Sequence, residues 1–117
     1  MSVKFIQRGD AVDYTPGADV KSGDVVVQGD LVGVAKLDIQ TGKLGALAVT
    51  GLFDFPKATG GGSAITAGAK VYWNADDELA TTDADDGGSP ATPYPYIGKT
   101  VKAAADDDAL VRVRLQN

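Results

Sequence analysis

In the closing stretch ALVRVRLQ, apolar and charged residues alternate one for one. Val111, Val113 and Leu115 fall on one side of an extended backbone and Arg112 and Arg114 on the other. A period of two predicts a strand with one face in a core and one face in water. Shorter runs of valine, aromatics and threonine, bounded by turn residues, predict further strands at VKFIQ (3–7), AVDYT (11–15), VVVQ (25–28), LVGVAKL (31–37), KVYW (70–73), ELATT (78–82) and PYIGKTV (95–101). In LAVTGLFDFP, Leu47, Val49, Gly51, Phe53 and Phe55 share one face of a single strand, Gly51 marks a bend or bulge, and Pro56 ends the run because it lacks a donor. No segment repeats its apolar positions every three or four residues, so helix is scarce. Ala103 to Ala105 with the three aspartates that follow read as a charged turn rather than a helix start. Gly29-Asp30 and DIQTGK (38–43) read as tight connections between paired strands. KATGGGSAITAG (57–68) and DADDGGSPATPYP (83–95) read as surface loops. The fold class is all-β: a small compact antiparallel β-barrel or sandwich with long surface loops.

The pattern also repeats. VKSGDVVV (20–27) and ITAGAKVYWN (65–74) each place an aliphatic residue three positions before a glycine and a valine three positions after it. Downstream, LVGVA (31–35) echoes YIGKT (96–100), each with glycine directly after an aliphatic, as where a strand bends at a barrel corner. The expectation is an internal pseudo-repeat of turn, strand, loop and bent strand; the competing explanation is the abundance of glycine and valine.

Composition narrows the function classes. At 117 residues the chain is expected to be one domain, 1–117, able to bury roughly two thirds of its unfolded surface. Cysteine and histidine are both absent, which removes disulfides, thiolate and histidine metal sites, and Ser-His-Asp or Cys-His catalysis. Sixteen acidic against eleven basic residues give a net charge of −5, and the basic residues look scattered along the chain, so nucleic-acid binding is disfavoured. No apolar run approaches the roughly 20 residues that cross a bilayer, and MSVKFIQRGD lacks a signal peptide's apolar centre, so a soluble, unexported protein is expected.

Four local patterns invite chemistry and mostly fail on spacing. DADDGG puts Asp83, Asp85 and Gly88 on the first, third and sixth positions of a calcium loop, yet Gly87 and Tyr94 stand where further oxygen ligands are needed. GSAITAGAK resembles a phosphate-binding loop, but five residues separate Gly62 from Gly68, and Ala69 intervenes before Lys70. Adjacent acids (Asp76, Asp77, Glu78; Asp106, Asp107, Asp108) read as solvated turns rather than opposed carboxylates. Tyr72, Trp73, Tyr94 and Tyr96 read as packing residues or, alternatively, as a sugar-stacking platform.

Taken in order, FIQRGDAVDYT, VKSGDVVVQGDLVGVA, GLFDFPKA, AITAGAKVYWN and YIGKTVKAAADDDALVRVRLQN resemble the phage capsid cement proteins, also called head decoration proteins, over most of the chain. The resemblance implies an all-β capsid decoration domain. It implies a structural bacteriophage virion protein that binds the outer surface of the assembled head and stabilises the capsid lattice. The implied partners are the major capsid protein and two further copies in a homotrimer, with no nucleic acid, membrane or small-molecule substrate. No catalytic residue, cofactor or metal is expected. The implied location is the outer capsid surface of the virion, after synthesis in the host bacterial cytoplasm.

For the capsid contact, the candidate residues are Val3, Lys4 and Phe5: Val3 and Phe5 would fill pockets while the backbone adds a strand to a capsid sheet edge. VKFIQ reads equally as the first strand of the barrel. The alternative function is a carbohydrate-binding or adhesive β-module built on Tyr72, Trp73, Tyr94 and Tyr96; an enzyme with a carboxylate site is a third.

Overall fold

The computed structural model describes residues 2–116, and these form nine strands and no helix. β1 (Ala11–Tyr14), β2 (Val25–Gln28), β3 (Leu31–Ala35) and β4 (Gly45–Ala48) make one antiparallel sheet, in the order β1-β4-β3-β2. β5 (Thr50–Pro56), β6 (Lys70–Asn74), β7 (Leu79–Thr81), β8 (Tyr96–Thr100) and β9 (Leu110–Gln116) make the other, in the order β5-β9-β8-β6-β7. Both sheets keep open edges, so the architecture is a sandwich and not the closed barrel that the sequence also allowed.

The alternation in ALVRVRLQ holds residue by residue. Val111, Val113 and Leu115 are buried while Arg112 and Arg114 are exposed, and β9 lies in a seven-residue register against β5, from Thr50 opposite Gln116 to Pro56 opposite Leu110. The inward faces of the two sheets meet in one cluster, where Val32 and Val34 of β3 join Phe55, Trp73, Val111 and Val113. The Phe55 ring meets Phe53 and Trp73 edge-on, at centroid distances of 6.5 and 6.0 Å. Each such side chain stabilises the fold by about 1.5–3 kcal/mol through burial.

Ala35, next to Val34, points to the opposite face of the first sheet. There it packs with Val20, Ile39 and Leu47 in a second, smaller cluster. Ile39 reaches that face because the connection between β3 and β4 folds back, and Ile39 and Val20 exchange two backbone hydrogen bonds of 2.8 Å.

Several expectations need revision. LAVTGLFDFP is not one strand: pairing breaks at Val49, so Leu47 enters the smaller cluster while Phe53 and Phe55 pack in the main core. Gly51, at φ 121°, lies just past this switch between sheets. VKFIQ is no strand at all. Residues 3–7 join neither sheet, although β1 is an open edge; the Gln7 side-chain amide donates to the Ala11 carbonyl at 3.4 Å. LVGVAKL stops at Ala35, whose amide still donates to the Asp24 carbonyl across the hairpin. DIQTGK is not a tight turn but the middle of a longer excursion that carries Ile39. Gly29-Asp30 is the two-residue hairpin expected, with Gln28 opposite Leu31 and Gly29 at φ 60°. The segment after Ala103 is a turn, closed by the Asp108 amide on the Ala105 carbonyl at 3.1 Å.

The two stretches that share a sequence pattern share hydrogen bonds as well. The Gly23 amide donates to the Ala35 carbonyl at 2.6 Å, and the Gly68 amide donates to that of Thr100 at 2.8 Å. Ala35 and Thr100 donate back, at 2.9 Å, to the carbonyls of Asp24 and Ala69, the residues after those glycines. Val20 bridges Ile39 as Ile65 bridges Ala104, and Val26 lies opposite Gly33 as Val71 lies opposite Gly98. Gly33 and Gly98 are glycines for a common reason. A Cβ on Gly33 would sit 2.8 Å from the Leu47 Cβ, and a Cβ on Gly98 would collide with the Arg114 carbonyl oxygen. Close approach of the neighbouring strand, rather than a barrel corner, requires glycine at both.

Candidate functional site

The N-terminal segment stands out by exposure. Val3, Phe5 and Ile6 are 102%, 80% and 78% exposed, and Lys4 between them is exposed too. Three large apolar side chains within four residues are thus left in water beside a packed sandwich. The segment leads directly into β1, an edge strand of the first sheet. The structure therefore presents Val3, Lys4 and Phe5 as an arm and not as part of the sandwich.

The aromatic platform comes apart. Trp73 is 6% exposed and belongs to the main core, because it follows Tyr72 on β6 and so points to the opposite face. Tyr72 and Tyr96 pair on the outer face, ring centroids 5.7 Å apart. The register skips Ile97 there, which lets Ile97 turn inward while Tyr96 joins Tyr72. Tyr94 sits among acids. Partial desolvation raises its phenol above the ordinary 10.0, and Asp86, Asp77, Asp76 and Asp83 raise it further.

The acidic turns hold backbone rather than ligands. The Asp86 carboxylate accepts the amides of Gly88 at 2.9 Å and Thr92 at 3.0 Å; Asp85 accepts that of Gly87 at 2.9 Å. Asp106 accepts the amides of Ser63 and Ala64, pinning the glycine-rich loop to the 103–108 turn. Among the described residues no group of three or more acids is placed to hold a metal ion. The stretch that resembled a phosphate loop runs into β6 and not into a helix, so it presents no helix N-terminus to a phosphate. A cleft of about 350 Å³ is lined by Asp54, Lys102, Asp108 and Arg112, and both of its carboxylates are engaged: Arg112 donates from Nε and Nη2 to the two Asp54 oxygens at 2.9 and 3.2 Å, and the Ala105 amide donates to Asp108 at 2.8 Å. No opposed pair of free carboxylates faces this cleft, as glycoside hydrolysis would need.

Three aspartates titrate low: Asp19 through the Thr41 backbone amide and then its hydroxyl, Asp54 through the hydrogen bond from Arg112, and Asp86 through the backbone amides of Thr92 and then Gly88. The unfolded chain, with carboxylates near 3.8, takes up protons first on acidification. Their contribution is thus complete above about pH 3.8 and is lost as pH falls through the lower folded values. The urea midpoint is expected to be flat from about pH 7 to 5 and to drop below about pH 4, with a smaller drop in Asp86→Asn. A midpoint that rises on acidification would contradict this assignment.

Among the described residues one buried cation serves the fold. Lys57, 4% exposed, donates from Nζ to the carbonyls of Ala58 (2.7 Å), Ala105 (3.0 Å) and Asp108 (2.8 Å).

Sequence reading missed one surface. Lys70, Lys99 and Arg114 look scattered in the chain, yet they lie directly opposite one another on β6, β8 and β9, exposed on the outer face of the second sheet, with Leu52 of β5 completing the row. The parity of each strand hinted at the face, but only the pairing register aligns the row.

A family model described as phage cement protein matches residues 6–115. Neither a curated protein nor a solved structure matches the chain. The match covers nearly the whole length of the all-β sandwich. The chain therefore belongs to the phage cement proteins, a family of structural, capsid-associated proteins and not a class of enzymes.

Proposed function

We propose that this protein binds the outer surface of the assembled head and stabilises the capsid lattice by mass action, with the major capsid protein as its partner. A protein that binds the assembled lattice, and not the separated subunits, makes separation more costly in proportion to its own affinity and concentration. It acts as a homotrimer made in the host cytoplasm, three arms binding together so that the first contact raises the effective concentration for the others. Residues 1–117 form one decoration domain, a reading supported by a main core drawn from both sheets. The chain is also read as two related halves, β1 to β4 and β5 to β9 with β7 added. The matching sheet orders and the equivalent hydrogen bonds at Gly23 and Gly68 support this.

The observation that carries the contact is the exposure of Val3, Phe5 and Ile6 on an unpaired segment. The family match begins at residue 6, so the assignment of Val3, Lys4 and Phe5 rests on their exposure. The arm would add a strand to an exposed sheet edge of the capsid, Val3 and Phe5 filling pockets on one side. Deleting residues 2–6 is expected to abolish co-sedimentation with expanded shells while leaving the urea midpoint within about 0.5 kcal/mol of wild type, because the arm contributes nothing to the core. Unfolding of the deletion variant, or undiminished shell binding, would remove the arm from the contact.

A further inference from the structure

The outer face of the second sheet carries charge in an arrangement that costs the isolated subunit. Like charges directly opposite on neighbouring strands repel, and here Lys70, Lys99 and Arg114 form such a row across three strands of a protein whose net charge is −5. Among the described residues the one ion pair is Arg112 with Asp54, in the next row, so these three cations stand without an anionic partner. The complementary charge is gathered on the two loops that flank the edge strand β7 of the same sheet. From Val71 to Gly98 the chain has six acidic residues and no basic one. The β6–β7 turn carries Asp76, Asp77 and Glu78; the loop after β7, which returns to the start of β8, carries Asp83, Asp85 and Asp86. The β6–β7 turn leaves the sheet at the Asn74 end; the loop after β7 starts beyond Thr81, opposite Tyr72, and comes back to Trp73, whose amide donates to the Pro95 carbonyl at 2.9 Å. Tyr94, whose amide donates to the Ala84 carbonyl at 2.9 Å, sits between the two acidic segments, and acids of both act on its hydroxyl. The second sheet thus carries its cations in a row across β6, β8 and β9 and its acids beyond the Asn74 end of β6 and beyond the edge strand β7.

We propose that the Lys70–Lys99–Arg114 row docks the acidic loop pair of a second copy of this chain, joining subunits head to tail. The contact deepens, and rests on, the homo-oligomer reading. Because the two patches are different surfaces, the interface is heterologous, and it closes into a ring when the rotation between neighbours allows. A trimeric ring places three arms on one assembly. Leu52 at the end of the row and the Tyr72–Tyr96 pair supply apolar area beside the charges.

The test is molecular mass by light scattering across a dilution series, read at about 50 and about 500 mM NaCl, conditions that shorten the screening length severalfold. Wild type is expected to associate on the order of tenfold more weakly at the higher salt. Lys70→Glu/Lys99→Glu/Arg114→Glu is expected to be monomeric, and so is Asp76→Lys/Asp83→Lys, chosen because neither carboxylate holds a loop hydrogen bond. The chain carrying both sets is expected to recover the wild-type mass, which a variant that merely misfolds would not do. Wild-type mass in either single set, no recovery in the combined chain, or a wild type that is monomeric throughout would overturn the proposal. Unchanged mass with loss of binding to shells or to a short DNA duplex in the basic-row variant would also overturn it, assigning the row to an acidic shell or to nucleic acid. Shell co-sedimentation of the same samples separates the two readings. Salt-insensitive oligomers that still bind shells overturn only the head-to-tail contact, whereas charge-dependent oligomers that never bind shells overturn only the adhesive function.

Discussion

Replacing Gly98 with alanine is expected to cost about 3 kcal/mol or more, a fall in melting temperature of roughly 12 °C for a chain of this size. The added methyl meets the Arg114 carbonyl oxygen, with the Gln116 amide nitrogen 3.1 Å away. Both atoms belong to the backbone of β9, which is paired with β8 through Gly98 opposite Leu115 and Lys99 opposite Arg114. A flexible side chain could swing aside. A ladder strand whose other edge is locked to β5 over seven residues cannot move without breaking that register too. Gly61→Ala is the control: it has open space around a built Cβ and no positive φ, so its change should stay within about 0.5 kcal/mol. Calorimetry on the two variants decides the matter, and equal melting temperatures would refute the close-approach account of Gly98.

Lys57→Met is expected to cost a further large amount, about 3 kcal/mol, because it removes three charge-assisted hydrogen bonds at once. The ammonium joins Ala58, just after β5, to Ala105 and Asp108 of the turn before β9. Among the described residues no carboxylate forms an ion pair with this ammonium, so the three carbonyls are its direct partners. Methionine keeps most of the volume, which isolates the polar loss from a cavity. Lys57→Arg is not a rescue, since a planar guanidinium cannot match three carbonyls converging on one nitrogen. The measurement is the urea midpoint of Lys57→Met, and a midpoint within error of wild type would show that the three bonds contribute little.

What the residues reveal unaided is local. A period of two identifies β9, and a glycine between two valine-rich runs identifies the β2–β3 hairpin, because both are settled within a few residues of chain. The break at Val49 was not legible: LAVTGLFDFP keeps perfect parity, and only the need to leave one sheet and enter another divides it. Parity was legible at Tyr72 and Trp73, where neighbours on one strand must point apart, so the tryptophan could have been withdrawn from an outer platform on sequence alone. VKFIQ has the composition of a strand, yet the structure leaves it unpaired, and composition alone does not say whether a neighbouring strand will take it up. The Lys57 site and the basic row depend on contacts across roughly fifty and fifteen to thirty residues, distances at which local pattern carries no register.

The central claim is adhesion to an assembled lattice. Its most direct measurement is the thermal transition of empty expanded shells, followed by calorimetry as the protein is titrated in. The account predicts that the shell transition rises with free protein concentration, by about 2.7 kcal/mol per site at a hundredfold excess over the dissociation constant, while free capsid subunits bind little. A shell transition that stays put as the protein saturates, or equal affinity for shells and free subunits, would contradict it.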